Sequence, residues 1–169
     1  MTIIQFLQLL HDSEFGTSIR ESLYLFPILE GVHLIGLALS VGLIIATDLR
    51  LIGVFLKQVP VSQVLHQLRP YVLTGFLITF VTGVLLLWAE GPRIWEIPVF
   101  PLKLALIVVA GLNALWFEFK FGRSVQHWGH QPAFPTGARL AGWISLVSWT
   151  SVVILGRLIP YLETTQAPF

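Results

Sequence analysis

The chain has 169 residues, of which 55% are hydrophobic and only 11% charged, with a mean hydropathy of +0.80 and a net charge of +1. That composition lies outside the range of soluble globular domains, and so small and scattered a positive charge excludes a nucleic-acid footprint. With no cysteine, disulfides, thiolate metal sites and covalently attached c-type haem are excluded as well.

The first ten residues carry no Lys or Arg, and Gln5 and Gln8 interrupt their apolar run, unlike a cleaved secretory signal. The spacing of Ile3, Phe6, Leu7 and Leu10 predicts instead a short amphipathic helix on the membrane surface. Ser18-Ile19-Arg20-Glu21 reads as a capping box opening the first long helix.

Four apolar stretches follow, 23–47, 71–89, 99–117 and 140–161, each close to or above the roughly 20 residues needed to cross a bilayer core. Proline and glycine punctuate the intervals: Pro60, then Gly91-Pro92 with Pro98 and Pro101, then Pro132-Ala133-Phe134-Pro135. Pro27 is expected to kink the first helix, and Val61 to Arg69 to form a separate short helix feeding the second span at Pro70. No internal repeat or soluble domain is discernible. The predicted architecture is all-α: one integral membrane four-helix bundle over residues 1–169, with a short N-terminal interfacial helix and the lipid bilayer as its partner.

Basic residues orient the bundle. The first and third connections with their flanks carry Arg50, Lys57, Arg69, Lys120, Arg123 and Arg139, against Arg20, Arg93, Lys103 and Arg157 on the opposite side. The positive-inside rule then predicts a multi-pass inner-membrane protein with both termini on the outer, periplasmic side. Tyr24, Trp88, Trp95 and Tyr161 fall at the outer boundary and Tyr71, Trp116 and Trp143 at the inner one, as an aromatic belt requires. Gly75, Thr79 and Gly83 form a stripe that permits close helix approach, and Gly142, Ser145, Trp149 and Gly156 a comparable one on the fourth helix.

Ionisable residues inside spans cost roughly 2.5–3.5 kcal/mol each on insertion scales, which makes them functional candidates. Glu30 and His33 share a face of the first helix with Leu37, Ser40 and Asp48; Lys103 and Asn113 lie on the third, and Arg157 on the fourth. Glu30, His33, Lys103, Arg157 and Asn113 are accordingly the candidate ligand or cofactor residues. The purely structural reading pairs Glu30 with Lys103 or Arg157, both close enough to the surface to snorkel. A b-type haem would use His33 as axial ligand and the two cations for its propionates, but His11, His66, His127 and His130 all fall outside the spans and offer no second imidazole at that depth. A quinone or proton-relay site would use Glu30 and His33 for proton exchange, with Lys103 or Asn113 donating to a carbonyl.

Other arrangements were weighed. Glu30-Gly31-Val32-His33 has the Glu-x-x-His spacing of di-iron bundles without its second copy. His66, His127 and His130 share the inner side without a spacing that defines a metal site. Asp48-Leu49-Arg50 reads as an interfacial ion pair or cap.

Leu29-Glu30-Gly31-Val32-His33-Leu34-Ile35-Gly36, Asp48-Leu49-Arg50-Leu51-Ile52-Gly53, Phe100-Pro101-Leu102-Lys103 and the segment from Trp149 to Gly156-Arg157 resemble an uncharacterised family of small bacterial four-helix membrane proteins. The resemblance implies the fold and a bacterial inner-membrane location and carries no activity. The functional expectation is a small redox or ligand-binding membrane component with a polar site opening to the outer side. The alternatives are a non-catalytic subunit docking on a membrane or periplasmic protein partner, or a small transporter or metal-handling protein.

Overall fold

A computed structural model describes residues 1–129 and 134–166, with side chains described as far as residue 162. His130, Pro132 and Ala133, named above for a loop metal site and a turn, lie outside the described residues. Among the described residues seven α-helices follow in order: α1 Ile3–His11, α2 Glu14–Glu21, α3 Leu25–Ile52, α4 Val61–Trp95, α5 Val99–Lys120, α6 Val125–Trp128 and α7 Thr136–Gln166. Four of them, α3, α4, α5 and α7, are long and apolar enough to cross a membrane, and no strand occurs among the described residues. The chain is an all-α, multi-pass membrane protein, and side chains such as Ile35, Phe80, Leu112 and Val147 cover its outer faces with apolar surface suited to lipid.

The amphipathic N-terminal helix forms as α1, started by a reciprocal capping box in which the Gln5 backbone N–H donates to Thr2 Oγ1 and the Thr2 N–H donates to Gln5 Oε1. Its buried residue is Leu7, seated on Gly91 of α4, where a Cβ would come within 3.0 Å of Leu7 Cδ2. Ile3 and Phe6 remain exposed. The helix therefore docks on the bundle by one side and offers its remaining apolar side to the interface.

Three local expectations are corrected. Ser18 to Glu21 does not open the first span: these residues end the separate helix α2, and the Ser22 hydroxyl accepts the Leu25 N–H at 3.1 Å where α3 begins. Pro27 does not kink α3. It stands in the first turn, the first intrahelical bond runs from Ile28 N–H to Tyr24 C=O, and the missing proline N–H forfeits nothing. Lastly, Val61 to Arg69 is no separate helix: α4 runs 35 residues straight through Pro70 and Pro92. At 1.5 Å per residue α4 is about 52 Å long and outreaches a hydrocarbon core of about 30 Å. Both prolines lie in the projecting ends, where water can satisfy the carbonyls of His66 and Trp88 that they leave unpaired.

The four long helices form an open arc rather than a closed square. α4 packs along α3, α3 against α7 and α7 against α5, whereas α4 and α5 hardly touch. The α3–α4 contact is tightest at Gly36 and Gly75: a Cβ on Gly75 would lie 2.8 Å from the Ser40 backbone nitrogen, so only hydrogen fits. At the end holding the α3–α4 and α5–α7 connections, Leu51, Val61, Val125, Trp128 and Ala138 form a small core. There Arg50 donates to Val59 C=O at 2.7 Å and Arg139 to Ile52 C=O at 3.2 Å. Gly53, at φ 89°, ends α3 in the left-handed conformation that glycine tolerates.

Candidate functional site

The close approach of α3 and α4 sets the position of His33. From Gly36, the same face of α3 carries His33 one turn back, onto the stretch of α4 holding Thr82 and Gly83. Gly83 makes room for the ring: a Cβ there would lie 3.1 Å from His33 Cε1. His33 Nδ1 stands 3.0 Å from Thr82 Oγ1, while the same hydroxyl lies 2.6 Å from Ile78 C=O. A hydroxyl has one hydrogen to give. With that hydrogen directed to the Ile78 carbonyl, Thr82 accepts from the ring, which is the tautomer with the proton on Nδ1 and the lone pair on Nε2. A hydrogen-bonded Nδ1–H that fixes the ring and leaves Nε2 as the working atom is the arrangement typical of ligating imidazoles.

Lys103 lies near the start of α5. Its ammonium lies over Gly156 of α7, where a Cβ would come within 3.3 Å of Nζ. The ammonium and the Glu30 carboxylate are the charged groups within electrostatic range of His33. Glu30 itself is exposed on α3. Neither Lys103 nor Arg157 forms an ion pair with it; the ion pairs among the described residues are Arg69–Glu118 and Arg93–Glu90. The pairing that the purely structural reading required is therefore not made.

Residues 23–162 match the family described as "Family of unknown function (DUF6644)". The chain belongs to this family. The match takes in α3, α4 and α5, α7 as far as residue 162, and every candidate residue named so far, and leaves α1 and α2 outside it. No curated protein and no solved structure matches the chain.

The remaining candidates of this family member separate from His33. Arg157 is exposed and turns along its own helix, donating to Tyr161 Oη at 3.1 Å with the guanidinium over that ring. Asn113 lies ten residues beyond Lys103 on α5, about 15 Å along the axis. There its Nδ2 donates to Ala141 C=O of α7 at 2.9 Å, and its buried Oδ1 has no hydrogen-bond partner. Asp48 departs furthest from its expected role. It is buried, forms no ion pair, and presents Oδ2 without a partner, while neighbouring Arg50 binds Val59 instead. Among the loop histidines, His66 and His127 are exposed. His11 does not approach His33: its Nδ1 meets Ala89 C=O, about two turns along α4 from Thr82, beside Arg20.

Thr82 escaped the sequence reading. It sits next to Gly83, at the end of the Gly75, Thr79, Gly83 stripe, but a lone threonine in a span is indistinguishable from one bonded only to its own helix. Gly83 and Gly156 were read as packing glycines, and they are also the notches against which His33 and Lys103 lie.

Proposed function

We propose that this protein is a small ligand-binding component of the bacterial inner membrane, whose polar site around His33 opens to the outer side and takes a membrane-borne quinone. The observation that carries this reading is the Nδ1 hydrogen bond of His33, which leaves Nε2 as a proton acceptor within electrostatic range of Lys103, a lysine that forms no ion pair among the described residues. A quinone head needs a donor for its carbonyl and, in its reduced form, an acceptor for its proton. Lys103 offers the first and His33 Nε2 the second. Glu30, exposed on α3 one turn before His33, is suited to passing that proton to water; Arg157 and Asn113, which face elsewhere, are outlying members of the predicted set. The orientation is supported by the excess of basic residues in the first and third connections. Haem b fits less well, because no second imidazole stands at the depth of His33 among the described residues.

Protein extracted from quinone- and haem-replete membranes in a mild detergent tests this directly. Solvent extraction is expected to recover quinone in near-stoichiometric amount from the native protein and to lose it from a folded His33→Ala variant. Equal recovery from both proteins would refute the assignment, and a reducible Soret band would replace it with haem. One observation favours a role as a non-catalytic subunit: Glu30 stands exposed within a span without an ion pair, and offers a carboxylate to a cation on a protein partner. Loss of a native-mass complex in Glu30→Gln would support that role.

A further inference from the structure

The gap in the helix arc encloses a second site. Between α4 and α5, with α3 and α7 as its floor, lies a cavity of about 590 Å³. Its walls are overwhelmingly apolar, from Val72 and Phe76 of α4 across to Ile107 and Ala114 of α5, with Trp149 at its base in edge contact with Phe76. Because α4 and α5 scarcely meet, the cavity faces the bilayer sideways. At the end of the bundle that holds the connections, Arg69 of α4 and Glu118 of α5 pair across the gap and close that mouth.

Two polar atoms stand out against this lining. Asp48 is 4% exposed and its Oδ2 has no hydrogen-bond partner; Asn113 is 8% exposed and its Oδ1 has none. Both residues line the cavity, together with the Ser145 hydroxyl of α7. The Asn113 amide is not free to turn over, because its Nδ2 is committed to Ala141 C=O. The Asp48 carbonyl lies against Gly142 of α7, where a Cβ would come within 3.3 Å of it, and Asn113 binds Ala141, the residue before, so Asp48 from one flank and Asn113 from the other meet α7 at a single depth. Asn113 Oδ1 is an acceptor, and Asp48 Oδ2 is one whenever its carboxyl is ionised. An unpaired acceptor buried in apolar surroundings is costly, and more so if charged, so two at one depth in a lipid-facing cavity call for a complementary donor.

We propose that this cavity binds a membrane-soluble molecule with an apolar body and a hydrogen-donor head, a hydroxyl or protonated amine, which enters between α4 and α5 and is held by Asp48 and Asn113. An anion would face the Asp48 carboxylate and Asn113 Oδ1 here, and is refused for the same reason that a donor is held. The inference does not rest on the quinone reading, since the two sites share no residue once Asn113 is assigned to this one.

The test uses full-length protein in nanodiscs and three probes with the same chain: dodecanol, dodecylamine and dodecyl methyl ether. Emission from Trp149 is the readout, with Trp149→Phe as its blank. Dodecanol, dodecylamine or both are expected to give a saturable change that the ether does not give. Asn113→Leu should weaken that binding by about tenfold or more, as loss of a buried hydrogen bond predicts. Asp48→Asn separates the two heads: amine binding falls with the carboxylate, while alcohol binding persists because the amide oxygen still accepts. Ala114→Phe, at the open rim, should abolish binding of every probe in a protein that remains folded. Ether binding equal to that of dodecanol, undiminished binding in Asn113→Leu, or no saturable response to any probe would overturn the proposal.

Discussion

At the scale of single residues, much of the bundle's packing turns on where a side chain is forbidden. Gly75 is the clearest case: its missing Cβ would press on the α3 backbone at Ser40, which no rotamer change relieves. Gly75→Leu is expected to destabilise the protein by about 1–3 kcal/mol or more, as overpacking at a tight contact does. Gly42, on α3 with nothing within 4 Å of its would-be Cβ, is the matched control, and Gly42→Leu should leave the melting temperature in detergent nearly unchanged. Equal losses in the two variants would contradict the assigned contact face. At Thr82, replacement by Val removes the acceptor for His33 Nδ1–H; a loss of about 1 kcal/mol is expected, with Thr82→Ser close to the native protein.

Helices obey the sequence where apolar length dominates and depart from it where proline decides. The expected spans 71–89 and 99–117 lie inside α4 and α5, because an uninterrupted apolar run in lipid has no alternative to helix. The limits were less legible. A proline is read as a helix end, yet Pro27 sits where no N–H is needed, and Pro70 and Pro92 sit in the projecting ends of α4. Pro70→Ala restores a bond in a segment that is already helical, and should leave stability unchanged or raise it by under about 1 kcal/mol. A marked loss would show that Pro70 bounds a separate element after all. Arg69 and Glu118, the ion pair that links α4 to α5, are both substantially solvent-exposed, so Glu118→Gln should cost no more than about 1 kcal/mol in thermal unfolding.

Over the whole molecule, membrane class and the four spans were legible because they follow from composition, whereas helix order around the arc was not, since pairing depends on which small residues meet. The candidate site was half legible for the same reason. Insertion cost singled out Glu30, His33 and Lys103, but nothing in their spacing revealed that Asn113 belongs with Asp48, or that Arg157 turns to Tyr161. Orientation in the membrane is testable because the chain has no cysteine of its own. A cysteine introduced at exposed Gln126 should resist an impermeant reagent applied to intact cells, and one at exposed Glu14 should react; the reverse pattern would place the termini inside.

The state of the His33 ring decides the account more directly than any substitution. In protein labelled with ¹⁵N-histidine and reconstituted in lipid, the imidazole spectrum should show His33 protonated at Nδ1 and bare at Nε2, and adding quinone should move the Nε2 resonance while Thr82→Val disturbs Nδ1. A ring protonated at Nε2, or an Nε2 signal indifferent to quinone at saturating concentration, would contradict it.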